Sequence, residues 1–165
     1  MTGPQGPQGA TGPMGPRGEP GPRGPAGPAG YPQNSIFATF SGQNLIVPES
    51  AGLPLRADIP DITRNISPCD HYSVMLTPGC YAISYYIAAL LKKPGVIRLT
   101  PVFNDRKQTV YTTHAEAVRR KETVVLSRYF IIEVADASTL FFSWNSSAGP
   151  SRISMNLSIE KRCRQ

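Results

Sequence analysis

The sequence predicts an all-β sandwich that assembles as a homotrimer behind a collagen triple helix, and three observations carry that prediction. Glycine recurs at every third position from Gly3 to Gly30. Beyond it, short runs rich in β-branched and aromatic residues alternate with Pro, Gly, Asn and Ser, with no sustained helical period. One of those runs is apolar on both of its faces, more than a single sandwich core requires.

The first element is the repeat. Gly3, Gly6, Gly9, Gly12, Gly15, Gly18, Gly21, Gly24, Gly27 and Gly30 open ten consecutive Gly-X-Y triplets over residues 3–32, and proline fills most X positions. Proline presets the left-handed extended polyproline conformation, and three such strands wind together only where the residue at the crowded axis lacks a side chain. A flexible linker of similar composition has no reason to hold that phase. The repeat therefore predicts three chains and a stalk about 90 Å long. Ten triplets without a hydrophobic core are marginal against the backbone entropy of ordering three strands, so another part of the chain must hold them together. An exposed interchain pair such as Arg17 with Glu19 adds less than about 1 kcal/mol. The stretch GPRGEP shares letters with integrin-binding collagen motifs but lacks the whole hexapeptide.

Residues 34–165 are enough for one domain with its own core. The chain of 165 residues carries a formal charge of +6, with clusters at Lys92-Lys93, Arg119-Arg120-Lys121 and Lys161-Arg162. These are short, lack a nucleic-acid-binding motif, and read as solvated loops, with anionic glycans or a membrane surface as the alternative partners. No run of 18 apolar residues and no charged-then-apolar leader is present, so neither a membrane span nor a signal peptide is expected.

Strand signals follow at IFATF, HYSVML, YAISYYIAALL, GVIRLTPVF, TVYTTHA, TVVLSRYFIIEV, STLFFSW and RISMNLSIE. In the last, Ile153, Met155, Leu157 and Ile159 alternate with polar residues, the pattern of a strand between core and solvent. In YAISYYIAALL, Ile83, Tyr85, Ile87, Ala89 and Leu91 share one face while Ala82, Tyr86, Ala88 and Leu90 share the other. TVVLSRYFIIEV places Leu126, Phe130 and Ile132 opposite Tyr129 and Ile131. The surplus apolar surface is assigned to contacts between subunits, where aromatic residues concentrate. The expected trimer interface is Tyr81, Ile83, Tyr85, Ile87, Tyr129, Ile131, Phe141 and Trp144.

Little in the sequence points to catalysis, and no enzyme activity is expected. Cys69, Asp70 and His71 are adjacent, but neighbours on a strand point in different directions and no orienting group follows. Cys69, Cys80 and Cys163 form neither a disulfide framework nor a zinc site. Cys163, between two arginines, reads as a free thiol, with an interchain bridge as the alternative. No cofactor or metal is expected; a threefold axis gathering three copies of His71, His114, Asp105 or Asp136 around an ion is the only route to one. Asn65, Asn145 and Asn156 begin Asn-x-Ser sequons, which do not decide the source.

A Gly-X-Y stalk followed by a β domain of this size resembles the complement-type globular heads and the tumour-necrosis-factor superfamily. LTPGCYAISYYI, TVVLSRYFIIEVADASTLFFSW and RISMNLSIEKR resemble stretches of the Bacillus collagen-like spore glycoproteins and related bacterial collagen-like proteins. The resemblance implies a jelly roll of about ten strands that trimerises tightly and nucleates the stalk, on a spore surface (exosporium) or cell envelope. Calcium, bound by some complement-type heads, enters only through it. The family's stalk is rich in Gly-Pro-Thr and glycosylated on threonine, whereas this repeat holds only Thr11.

Two functional readings follow. The first is a structural filament whose head is the trimerisation module and terminal knob, shaping adhesion. The second is a secreted defence-collagen or cytokine-like module binding a receptor or glycan through loops such as FNDRKQ and SWNSSAGPS. Expected partners are two further copies of the chain and a host or envelope glycoprotein or glycan, with no nucleic acid.

Overall fold

The computed structural model describes residues 1–19 and 36–162. By its internal contacts the chain divides into two units, Met1–Tyr31 and Pro32–Gln165. Residues 1–19 are exposed and form no helix or strand. A Cβ added at Gly3, Gly6, Gly9, Gly12, Gly15 or Gly18 would meet nothing within 4 Å. Gly21, Gly24, Gly27, Gly30 and Cys163 lie outside the described residues.

Among the described residues the head has twelve strands: β1 (Ile36–Val47), β2 (Ser50–Gly52), β3 (Ala57–Ile59), β4 (Ile66–Pro68), β5 (Ser73–Leu76), β6 (Gly79–Leu91), β7 (Gly95–Phe103), β8 (Arg106–Lys107), β9 (Thr113–Ala117), β10 (Glu122–Val134), β11 (Ser138–Ser146) and β12 (Ser151–Arg162). One short 3-10 turn, Thr109–Tyr111, precedes β9. Every strand pairing is antiparallel. The first sheet runs β10-β6-β12-β1-β3; the second runs β4-β5-β11-β7-β8, with β2 against β11 and β9 against β7. Pro101 sits in the gap between the β9 pairing, which ends at Leu99, and the β8 pairing, which begins at Val102, so its missing N–H interrupts no ladder.

Alternation decides which side chains enter the core. The odd residues of β6 from Tyr81 to Leu91 point inward, as do Leu126, Phe130 and Val134 of β10 and Ile153, Met155, Leu157 and Ile159 of β12. Facing them across the sandwich are Val74, Leu76, Ile97, Leu99, Leu140, Phe142 and Trp144. Tyr85 meets Phe142 edge-on, with ring centroids 5.9 Å apart at 77°. Burying each such side chain stabilises the head by roughly 1.5–3 kcal/mol before the entropy of ordering is counted.

The strand ends define two ends of the sandwich. At the proximal end β1 begins at Ile36, beside Lys161 near the end of β12. Gly79 of β6 there faces Val134 of β10. At the distal end lie the β6–β7, β9–β10 and β11–β12 turns. There the second sheet's ladders run one step further, with hydrogen bonds from Ser146 N–H to Glu49 O (2.7 Å), beyond the β11–β2 pairing, and from Ser147 N–H to Val96 O (2.9 Å), beyond the β11–β7 pairing.

Candidate functional site

The strands read as having surplus apolar surface, β6 and β10, share the outer face of the first sheet, and there β6 presents Ala82, Ser84, Tyr86, Ala88 and Leu90. Beside it β10 presents Val125, Ser127, Tyr129 and Ile131, and β12 presents Ser154, Asn156 and Ser158. Register sets the relief: Tyr86 lies between Ser127 and Asn156, and Ser84 between Tyr129 and Ser158. Two tyrosines thus stand on a floor of small side chains, beside an open depression of about 500 Å³ lined by Thr39, Asp58, Ser84, Tyr86, Ser127 and Ser158. Within one chain Tyr86 is 52 % exposed, Tyr129 57 %, Ile131 49 % and Val125 43 %. Among the described residues β10 pairs with β6 alone and forms the long outer edge of this sheet.

This placement corrects the expected interface. Tyr81, Ile83, Ile87 and Trp144 have no exposed surface within a single chain, and Tyr85 is almost wholly buried, so all five belong to the intrachain core. Periodicity shows that such residues share a face; it does not show which face meets the other sheet. Phe141 is half-buried on the outer side of the second sheet, the opposite layer from Tyr129 and Ile131. Of the eight residues, only Tyr129 and Ile131 stand together on an exposed surface, and Tyr86 joins them although the sequence reading left it out. Its signal was the even-numbered apolar set of β6.

The remaining candidates have structural roles. Asp70 Oδ1 accepts the Tyr72 N–H (2.7 Å), the Ser73 N–H (2.7 Å) and the Ser73 hydroxyl (2.9 Å), closing the β4–β5 turn. Those bonds, the Tyr72 N–H foremost, hold its carboxyl below the usual range. Cys69 and His71 are exposed in the same turn. Asp61 anchors the loop before β4: Oδ1 accepts the Thr63 N–H (2.8 Å) and hydroxyl (2.6 Å), and Oδ2 accepts the Asn65 (2.8 Å) and Ile66 (3.0 Å) N–H groups. Burial works to raise its pKa, but the bonds from Thr63, Ile66 and Asn65 together outweigh burial and hold the carboxyl low. Burial raises the phenols of Tyr81 and Tyr85.

At the proximal end Lys161 Nζ donates to Asn65 Oδ1 (2.6 Å) and Thr77 Oγ1 (2.9 Å), so β12 of one sheet is tied to the loops of the other. The Asn65 sequon is therefore committed to an internal bond, whereas Asn156 lies exposed on the polar face of β12, as expected. FNDRKQ lies at the proximal end and SWNSSAGPS at the distal end, so the two loops do not form one surface. Asp105 and Asp136 occupy proximal turns, and His114 is exposed on β9. Among the described residues no group of three or more His, Cys, Asp and Glu is placed to hold a metal, and no helix is long and apolar enough to cross a membrane.

Three solved structures share this architecture. Eiger TNF from S. frugiperda superposes with a TM-score of 0.59 at 13 % identity, covering 81 % of this chain and 96 % of its own. The fold is that of a tumour-necrosis-factor-like jelly roll. Murine APRIL matches with a TM-score of 0.61 at 9 % identity over 78 % of this chain and 99 % of its own. The globular domain of zebrafish complement 1qA protein matches with 0.55 at 9 % identity over 79 % and 99 %. No protein-family model matches the sequence, and no curated protein matches it.

Proposed function

We propose that the chain is a structural surface protein: three heads associate, align three repeats in register, and so nucleate a collagen-like stalk. The three heads form the knob of a filament on a bacterial spore (exosporium) or cell envelope, where it shapes adhesion. The observation that carries the reading is β10, a thirteen-residue edge strand with Val125, Tyr129 and Ile131 exposed along it. A long, apolar edge strand with no strand beyond it among the described residues is a liability in a monomer and is relieved when another copy covers it. The repeat supports the same conclusion, because its described glycines meet nothing inside one chain that would require them, while a triple helix requires glycine at every axial position. Once three heads are joined, winding of the stalk becomes intramolecular, at high effective concentration. The bacterial surface assignment is supported by the three stretches that resemble the spore glycoproteins.

Sedimentation equilibrium of the full chain tests the assembly. A mass of three chains is expected, together with the circular-dichroism signature of a triple helix. Tyr129→Asp/Ile131→Asp should lose both while the monomer keeps its β spectrum. A monomeric parent chain, or a variant that stays trimeric, overturns the interface. Recovery of the native protein from spore or envelope layers tests the location; hydroxyproline and N-glycans on it would favour the secreted recognition module instead.

A further inference from the structure

The three basic clusters of the sequence look alike on paper, but the fold treats them differently. Lys161 is held inside the proximal network, and Arg162 pairs with Glu160 at 3.4 Å, the one ion pair among the described residues. The other two clusters are brought together. Leu91 pairs with Glu122 and Gly95 with Ala117, so the β6–β7 turn carrying Lys92 and Lys93 lies beside the β9–β10 turn carrying Arg119, Arg120 and Lys121. All five are exposed, and Arg152, exposed on β12 opposite Leu90, adds a sixth cation at the same end. Among the described residues none has a carboxylate within 4.0 Å; the acidic residues facing this end are Glu49, Glu116 and Glu122.

Both turns are rigidly built. Glu122 Oε2 accepts the Val118 N–H (2.9 Å) and the Arg119 N–H (2.7 Å), which occupies that carboxylate with backbone and lays Arg119, Arg120 and Lys121 outward. Lys121 takes a left-handed φ of 56° to complete the turn. The lysine turn rests on the β11–β12 turn: a Cβ on Gly95 would meet Ala148 N and Ser147 Oγ at 2.9 Å, and the Val96 N–H donates to Ser147 Oγ at 2.8 Å. Cations on a fixed backbone lose less entropy on binding than cations on a mobile loop.

We infer that this distal end binds a linear acidic polysaccharide through Lys92, Lys93, Arg119, Arg120, Lys121 and Arg152. The chemistry of the patch selects among polyanions. Its turns, residues 48–49, 92–94, 118–121 and 147–150, contain no aromatic side chain, so nothing stacks on a nucleobase and no Trp or Phe enters a lipid interface. Five cations on two adjacent turns and Arg152 at the start of β12 match the spaced sulfates and carboxylates of a polysaccharide chain, and attraction of that kind weakens steeply with salt. The inference stands on one subunit and does not depend on trimerisation, although three copies on one stalk would add avidity.

The test is binding of the full chain to immobilised heparin, beside desulfated heparin, duplex DNA and phosphatidylserine vesicles, with salt raised from about 50 to 200 mM. Heparin should bind most tightly, and its affinity should fall with salt. Lys92→Gln/Lys93→Gln and Arg119→Gln/Arg120→Gln/Lys121→Gln, changed separately on exposed turns, should each weaken it at least about tenfold. Arg106→Gln/Lys107→Gln, at the proximal end, should leave it unchanged. No heparin binding, equal loss in the proximal variant, or tighter binding to DNA or vesicles would overturn the inference, whatever the mass found by sedimentation.

Discussion

Glycine does different work in the two regions of this molecule. In the described part of the repeat, a Cβ at any glycine has open space around it; in the triple helix proposed above, the demand for glycine would come from two other chains and is written as a period. In the head the demand comes from a named neighbour. A Cβ on Gly95 would strike Ala148 and Ser147, and one on Gly79, whose φ is +151°, would meet Lys161 Cε at 2.5 Å. Periodic demand is visible in a sequence and invisible in one folded chain. Contact demand is the reverse. The comparison also separates their energetics: the head holds its own core, while the repeat, under the proposed assembly, would gain stability only through association.

The largest expected effect on the head is Trp144→Ala. It leaves a cavity in the sandwich and should cost about 3–5 kcal/mol, seen as a lower denaturant midpoint, and stalk and trimer should be lost with the head. Trp144→Phe should cost far less, because the indole N–H is buried without a protein acceptor among the described residues and its removal relieves an unmet polar group. If the two variants are equally damaging, the packing account of this residue is wrong.

Asp61→Asn comes next, at about 2 kcal/mol, since an amide oxygen replaces a charged acceptor of several hydrogen bonds. Its pH signature has a definite sign. The folded carboxyl titrates below the unfolded value of about 3.9, so its contribution is complete above that pH and is lost as pH falls through the folded pKa. Acid melting curves of the parent should therefore fall more steeply below about pH 4 than those of the variant; parallel curves would remove Asp61 from the account.

Gly95→Ala should cost about 1–3 kcal/mol, because backbone of the next turn must move to admit the methyl group. Gly79→Ala should be milder, since a flexible lysine stem can yield, at the expense of the Lys161 bonds to Asn65 and Thr77. The smallest effect on the head belongs to Gly18→Ala. Head melting should stay within about 0.5 kcal/mol of the parent, while the triple-helix signal melts at lower temperature. A shift of both transitions together would break the division of labour between the two regions.

The strands that were legible in the sequence are those long enough to show a period. The inward and outward sets of β6, β10 and β12 follow their alternation residue by residue, and β7 matches GVIRLTPVF from end to end. β2, β3, β4 and β8, of two or three residues each, carry no period and become strands only because β11, β1, β5 and β7 offer them an edge. The interface was read less well for a related reason. Tyr81, Ile83, Tyr85 and Ile87 do share a face, but Phe142, Trp144 and their neighbours on the second sheet turn that face into core.

The sequence alone determined the phase of the repeat, the all-β class of the head and the two-faced character of β6. Each follows from a local rule, steric exclusion at an axis or alternation along a strand. Only the tertiary structure decided which face of β6 is buried, which basic clusters stand side by side, and which glycines are held by contact. Those outcomes depend on register and on the pairing of strands distant in the chain, and neither register nor long-range pairing leaves a mark within any one segment.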